Sequence, residues 1–408
     1  MREVTIEKLG ALGDGIARDG GAEIYVPYAL PGEIVSGDIS NGRMDTPKII
    51  TPSPARIKPV CRHYKSCGGC TMQHTTAQVQ ADWKLQKTKD ALSAVNLHPE
   101  VRISDVVNLH SRRRATLSVK RTKKGAMVGF YGRGSDNIIE ITECAVIAPE
   151  ILALFPALIE IAILGASRKA ALRVAVTLAD NGMDLSIENG KELDAPQISK
   201  LAQIAGRANI IRLAWNGEIA VQSDPPRQTF AGVAVFPPAG SFLQATKLGE
   251  QQLQSIVAKI VGDAKQVVDL FAGCGTFAIP LARMATVVAY EGDAAMMGAL
   301  DQAWRGSNGL RDITTHTRDL FRRAVLAEEL CKTDAVVIDP PRAGALAQTK
   351  ELAKSDVAKI AFVSCNPATF ARDARVLVDA GYSLNWVQVV DQFLFNPHVE
   401  LVAEFTRP

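Results

Sequence analysis

The chain has 408 residues, of which 47% are apolar and 22% charged, with a formal net charge of +3. Such a length and mix suit a globular protein of about two or three domains with ample material for a core, and they exclude fibrous or low-complexity chains. So small a charge excess says little about a polyanionic partner, and any such signal must be local.

The N-terminal "MREVTIEKLGALGDG" has no apolar run of signal-peptide type. The most apolar stretch, "ILALFPALIEIAILGA" at 151–166, is too short for a bilayer and holds Pro156 and Glu160. A cytoplasmic protein without a membrane segment is expected. Residues 1–55 alternate β-type runs (4–6, 23–26, 33–39) with Gly-rich turns, which predicts a small barrel. "TPSPARIKP" then reads as a linker. Residues 73–95 lack Gly and Pro and carry Val79, Trp83, Leu85 and Leu92 at helical intervals, predicting a helix.

Seven cysteines stand at 61, 67, 70, 144, 274, 331 and 365; an odd number without a secretory signal argues against a disulfide framework. Cys61-x5-Cys67-x2-Cys70 is a metal-ligand spacing, and Cys144 supplies a fourth thiolate. Four soft ligands suit structural zinc or an iron–sulfur cluster, and spacing does not choose between them. Cys274 and Cys331 are read as packing residues.

Residues 105–235 mix short strands with helices and end at "SDPPRQTF". Within them "SRRRATLSVKRTKK" (111–124) has seven Lys/Arg and no acid, followed by Phe130-Tyr131-Gly132-Arg133. Such a stretch suits a surface that holds phosphates by charge and stacks bases. From 236 onward the helix-like "KLGEQQLQSIVAKIV" precedes the strands "QVVDLF", "TVVAYE", "AVVIDP" and "KIAFVSC", each separated from the next by helix. That alternation predicts a mostly parallel, doubly wound α/β sheet with right-handed crossovers.

"VVDLFAGCGTFAIPLA" runs from a strand through Gly273-x-Gly275 into a helix, so a ligand is expected beyond the strand ends. Ala278 stands where a dinucleotide fingerprint needs a third glycine. Glu291 ends the next strand and can accept from two ribose hydroxyls; no phosphate-binding Lys is present, which fits S-adenosylmethionine better than ATP. Asp319 can take the adenine amino group. Asp339-Pro340-Pro341 forms a stiff polar corner, similar to that of amino-group methyltransferases except that Arg342 replaces their aromatic residue.

Cys365, 26 residues after Asp339, ends the following strand and should face the same crevice. A thiolate is a covalent nucleophile. Carbon 5 of uracil attacks a methyl sulfonium only once a thiolate has added at carbon 6, and a base must then remove the carbon 5 proton. Glu400, in "NPHVELVAEF", is the candidate base, with Glu404 the other carboxylate of the C-terminal strand pair.

"DLFAGCGTF", "DPPRAG", "SCNPATFARD" and "HVE", in this order and spacing, resemble the RNA (uracil-5-)-methyltransferase family, in particular its iron–sulfur members acting on 23S ribosomal RNA. The resemblance implies Cys365 as nucleophile, Glu400 as base, and cofactor contacts from Gln244, Phe271, Thr276, Glu291, Asp319 and Asp339. It further implies a 4Fe-4S cluster on Cys61, Cys67, Cys70 and Cys144. "IEKLGALGDGIA" is similar to the OB-like RNA-binding module called TRAM. Three units are then expected: a TRAM barrel at 1–55, a central α+β iron–sulfur and RNA-binding domain at 56–72 and 105–235, and a Rossmann-like methyltransferase domain at 73–104 and 236–408. The partner implied is RNA, 23S rRNA before tRNA, with no obligate protein partner and a monomeric state. Two departures stand out: Thr276 where many members have Asn, and "FLFNPH" where they have a Pro-His-Thr-x-His lead-in. The other readings are methylation of an exocyclic amino group through the Asp339 corner, and a non-catalytic iron–sulfur RNA sensor.

Overall fold

The computed structural model describes residues 2–104 and 108–407. At the N-terminus β1 (Arg2–Leu9), β2 (Gly15–Asp19), β3 (Ala22–Val26), β4 (Ile34–Gly37) and β5 (Lys48–Thr51) form an antiparallel sheet in the order β3-β2-β1-β4-β5. Alternation along the strands turns Val4, Ile6, Ile24, Val26 and Val35 inward against Ala17, Ala29 and Met44. The edge strand β3 curls back onto the 40–44 segment: the Tyr25 N–H donates to Gly42 O and the Met44 N–H to Tyr25 O. The expected runs fall in β1, β3 and β4; β2, with two charges in five residues, carries a weak sequence signal.

Helix α1 (Ala77–Ser93) lies within the expected 73–95, and β6 (Glu100–Ile103) follows. The expected boundary at residue 105 lies outside the described residues.

The central unit has β7 (Arg114–Arg121), β8 (Ala126–Tyr131), β9 (Ile138–Glu140), α2 (Pro149–Ala153), α3 (Phe155–Gly165), β10 (Leu172–Ala179), β11 (Gly182–Glu188), α4 (Ala195–Arg207), β12 (Ile210–Trp215) and β13 (Glu218–Gln222). Its sheet runs β13-β12-β11-β10-β7-β8-β9, with only β11 and β12 parallel. The most apolar stretch of the chain breaks into α2 and α3 around Pro156, and its Ile151, Leu158 and Ile161 are buried against Leu117, Val174 and Leu185. Among the described residues no helix is long and apolar enough to cross a membrane.

The hairpin β14 (Gln228–Phe230) and β15 (Val233–Val235) comes next. Its Phe230, Val233 and Val235 are buried in the C-terminal core, so the chain has already left the central sheet before the expected boundary at 235. The C-terminal unit then holds α5 (Lys247–Val261), β16 (Gln266–Leu270), α6 (Ala278–Leu281), β17 (Thr286–Glu291), α7 (Ala294–Arg305), β18 (Ile313–Thr317), β19 (Ala335–Ile338), α8 (Leu346–Lys354), β20 (Lys359–Ser364), α9 (Pro367–Asp379), β21 (Ser383–Val390) and β22 (Glu400–Thr406).

These strands and β6 make one sheet in the order β18-β17-β16-β19-β20-β22-β21-β6. β16 to β20 are parallel, as the alternation of strand and helix predicts, while β22 runs antiparallel to both neighbours, so the sheet is mixed. β6 pairs in parallel with β21, which carries the segment after α1 onto the far edge of this sheet. Buried apolar layers cover both faces, and the strand order reverses between β16 and β19, where ligands of such sheets bind.

Candidate active site and cysteine cavity

The strand ends at this reversal line a cavity of about 560 Å3 that contains all eight expected cofactor and catalytic residues: Gln244, Phe271, Thr276, Glu291, Asp319, Asp339, Cys365 and Glu400. β16 leaves the sheet through Phe271 in the left-handed region (φ 62°), followed by Gly273 (φ 56°) and Gly275 (φ 93°). A Cβ at Gly275 would stand 2.5 Å from Leu300 Cδ1, so the turn needs glycine both for its backbone and for packing on α7. The Glu291 carboxylate accepts from the Gly273 N–H at 3.1 Å and the Asp293 N–H at 3.0 Å, which fixes it beneath the turn. Asp319 accepts from the Phe321 N–H at 3.0 Å, and the Phe271 and Phe321 rings lie 5.5 Å apart on the same wall.

Cys365 and Glu400 meet through strand register. In the antiparallel β20–β22 pair Ser364 stands opposite Leu401, so the next position sets Cys365 against Glu400. The thiol is pushed up to about 11, first by burial and then by the nearby charges of Glu400 and Asp339, with Arg342 opposing them. Burial pushes Asp339 up to about 7. Glu400, only 3% exposed, is pushed well above the carboxylate range by burial and by Asp339, with a hydrogen bond from Gln392 pulling the other way. The Gln392 Nε2 donates to both Glu400 Oε2 (3.1 Å) and Gln244 Oε1 (2.6 Å). Three acidic groups thus share a poorly solvated corner in which protonation of one favours ionisation of another.

Phe242, Arg342, Phe393 and His398 also line this cavity and have no individual signature beyond their nearness in sequence to Gln244, Asp339 and Glu400. Asp269, buried in the middle of β16, is pushed well up by burial and by Asp339 and Glu291; a carboxylate inside an apolar strand is its one sequence signal.

The four other predicted ligands come together away from the sheet. Cys61, Cys67, Cys70 and Cys144 line a cavity of about 280 Å3, together with His63 and Arg112. The Gly68 N–H donates to Tyr131 O, which ties the Cys67–Cys70 loop to the end of β8, and Arg62 pairs with Glu143 beside Cys144. Burial is the main cause raising Cys61, Cys67 and Cys70, the last to about 12, and each also feels the charges of its fellow thiols. Among the described residues no three His, Cys, Asp or Glu side chains are placed to hold a single metal ion. Of the two expected packing cysteines Cys274 is buried, whereas Cys331 is exposed and does not serve a core.

Only the second half of the basic run is the open surface expected from its charge. Arg113 is buried and pairs with Glu250 of α5. Arg112 and Arg114 stack over Phe393 and Phe242 at 5.9 and 5.4 Å, and Arg133 pairs with Asp14 of the N-terminal sheet. The run begins where the central unit packs on the C-terminal one, so its first three charges are spent on that junction. Lys120, Lys123 and Lys124 are exposed.

Residues 76–406 match the model of the tRNA (uracil-5-)-methyltransferase family. An RNA methyltransferase of Rhizobium meliloti (strain 1021) is 43% identical over 99% of both chains. The 23S rRNA (uracil(1939)-C(5))-methyltransferase of Shewanella piezotolerans is 30% identical, over 98% of this chain and 95% of its own. In fold the chain is similar to the Pyrococcus abyssi tRNA (uracil-54, C5)-methyltransferase solved with S-adenosyl-L-homocysteine, at a TM-score of 0.78 and 23% identity, over 99% of this chain and 100% of that one.

Proposed function

The chain belongs to the tRNA (uracil-5-)-methyltransferase family, and on that premise we propose that it methylates carbon 5 of a uridine in 23S ribosomal RNA with S-adenosylmethionine as donor. The observation that carries this reading is the β20–β22 register, which sets Cys365 opposite Glu400 on the wall of the large cavity.

S-adenosylmethionine supplies an electrophilic methyl group on a sulfonium. Glu291 is suited to its ribose hydroxyls, Asp319 to its adenine amino group and the Phe271–Phe321 wall to the adenine faces, with Gln244 and Thr276 completing the lining. Asp339 positions the uracil. Because the thiol keeps its proton near neutrality, its sulfur attacks as that proton passes to a neighbouring carboxylate; Asp339, at about 7, is available for it. The sulfur bonds to carbon 6, and the electrons of the 5,6 double bond move toward the carbonyl oxygen at carbon 4. Carbon 5 takes the methyl group as the donor's methyl carbon–sulfur bond breaks, its electrons staying on sulfur in the departing S-adenosylhomocysteine. Glu400 then removes the carbon 5 proton, the double bond re-forms and the carbon–sulfur bond breaks, freeing Cys365. The target base leaves its stack to reach this corner.

The four-cysteine cavity is proposed to hold a 4Fe-4S cluster. Four thiols around one cavity supply the soft ligands that such a cluster takes, one thiolate to each iron. A cluster there would join residues 61–70 to residue 144 and stiffen the central unit. The N-terminal sheet (1–55) is read as a TRAM-type RNA-binding barrel, 56–72 with 105–235 as the cluster and RNA-binding unit, less the 228–235 hairpin that packs in the C-terminal core, and 73–104 with 236–408 as the methyltransferase unit of a cytoplasmic monomer. The β6–β21 pairing supports joining 73–104 to the last of these.

Ribosomal rather than transfer RNA is favoured by the Shewanella relative, whose similarity covers 98% of this chain. Mass-spectrometric mapping of 5-methyluridine in RNA from cells with and without the gene tests the reading. One 23S rRNA position should lose its methyl group; loss from tRNA alone moves the substrate, and no loss anywhere overturns the activity.

A further inference from the structure

A second cavity, of about 420 Å3, opens on the other side of Cys365. It is walled by the turn between β1 and β2, one face of α1 and the start of α9, and Cys365, Arg342 and His398 border both cavities. The reaction described above makes no use of it. A uridine bonded through carbon 6 to Cys365 is nevertheless one link of a polymer, and its sugar and phosphates must run out beside the sulfur.

The charges around this outlet are unbalanced. The Lys87 ammonium donates to Ala11 O at 3.1 Å and Pro397 O at 2.8 Å and lies 5.8 Å from the centre of the Trp83 ring, which leaves one of its three hydrogens without an oxygen acceptor. Among the described residues neither Lys87 nor Arg342 has a carboxylate partner. Lys84, one turn earlier on α1, is already satisfied by Asp391 at 2.5 Å. The one carboxylate on the wall, Asp90, is exposed and accepts from Gln86. The crowding of cations shows in their neighbours: burial and then Arg342, Lys87, Arg112 and Lys84 push His398 down to about 4. Cations on this outlet wall that no carboxylate pairs are what an RNA phosphate neutralises.

We propose that this second cavity seats a phosphodiester adjoining the target uridine, held by Lys87 and Arg342, so that α1 and the N-terminal sheet build part of the substrate site rather than a remote tether. The inference rests on the uracil reading above. It explains why Lys87 bridges the turn of the N-terminal sheet and the loop leading to Glu400: the ion that binds the strand also ties together the two segments that flank it.

The test uses the full-length protein and a short RNA copying the mapped site, with 5-fluorouridine at the target so that the sulfur–carbon 6 adduct is trapped. Two further RNAs carry a neutral methylphosphonate on either side of that nucleotide. With wild-type protein and limiting RNA, one of the two neutral linkages should slow trapping about tenfold. Lys87→Gln should lose as much on the unaltered RNA and nothing more on that neutral one, and should lower the salt dependence of RNA binding by about one ion. Lys87→Arg should stay within about threefold of wild type. Neutral linkages that leave wild type unaffected, or that slow Lys87→Gln by a further tenfold, overturn the site. The linkage arm uses unaltered protein, so loosening of the N-terminal sheet in the variant cannot imitate the result. Should wild type fail to trap the unaltered RNA, the uracil reading falls, and this site with it.

Discussion

Cys365 stands alone among carboxylates, whereas Cys61, Cys67, Cys70 and Cys144 face one another around a cavity half the size. Burial is the first cause of a raised thiol in both places, reaching about 11 at Cys365 and about 12 at Cys70. A desolvated thiol keeps its proton until another atom takes the sulfur. In the large cavity the groups sharing the space are Glu400 and Asp339, which can move protons, so the sulfur can bond to carbon and be released. In the small one the nearest sharers are three other thiols, with His63, Glu143 and Arg112 on the wall, and the four sulfurs together offer a set of soft ligands. Residue type is the same in the two regions; on the proposed reading, the company each thiol keeps decides between a transient bond and a permanent one.

The comparison breaks most sharply at Cys365. Cys365→Ala should lower methyl transfer by at least about 10^4-fold and abolish the 5-fluorouridine adduct, with S-adenosylmethionine affinity by calorimetry nearly unchanged. Turnover that survives this change would revive the exocyclic-amine reading.

Glu400→Gln separates bond making from bond breaking. Turnover should fall by about 10^2 to 10^4-fold, while a methylated RNA–protein adduct builds up on denaturing gels, because the carbon 5 proton has no acceptor. An adduct lacking the methyl group would assign Glu400 to an earlier step.

In the small cavity Cys70→Ser should remove the metal without removing the chemistry. Anaerobically purified wild type should carry about four iron and four sulfide per chain; the variant should lose them, and methyl transfer should persist within about tenfold. Zinc in place of iron in the wild type would refute the cluster.

The smallest effect concerns stability. A carboxyl whose folded pKa is raised contributes stability that is full below its unfolded value and is lost as pH rises through the folded value, here from about 3.8 to about 7 for Asp339. Wild-type Tm should therefore fall between about pH 4 and 7 and level off above that. Asp339→Asn should flatten that profile and raise Tm at pH 8 by about 2 °C or more, while methyl transfer is lost. An unchanged pH profile would place the ionisable strain elsewhere, with Glu400 or Asp269.

Much of the active site is legible in the sequence because each of its residues ends a strand or follows one. "VVDLF", "VVAYE", "VVID" and "FVSC" are apolar runs closed by a polar residue, and a parallel sheet must bring such ends to one side. Glu400 fits by the opposite rule, since an antiparallel strand begins where its parallel neighbours finish. Phe242 and Gln392 escape notice because their roles depend on which loops fold over the strand ends, and no spacing encodes that. The basic run misleads for a related reason. Charge in a sequence does not say whether a side chain faces water, and Arg113 finds Glu250, 137 residues away, only once two units have packed together.

By itself the sequence determined the chemistry available: a thiol, a base and acids at strand ends, glycines that only a ligand-hugging turn requires, and four thiols at ligand spacing. Periodicity and turn residues are local quantities, so local elements and their ends follow from them. Tertiary structure alone decided which charges are consumed in joining the units, that β6 completes a sheet assembled some 280 residues later, and that the turn of the N-terminal sheet closes a second cavity behind Cys365. Those outcomes depend on contacts between distant segments, whose free energy is set by packing rather than by any neighbour in the chain.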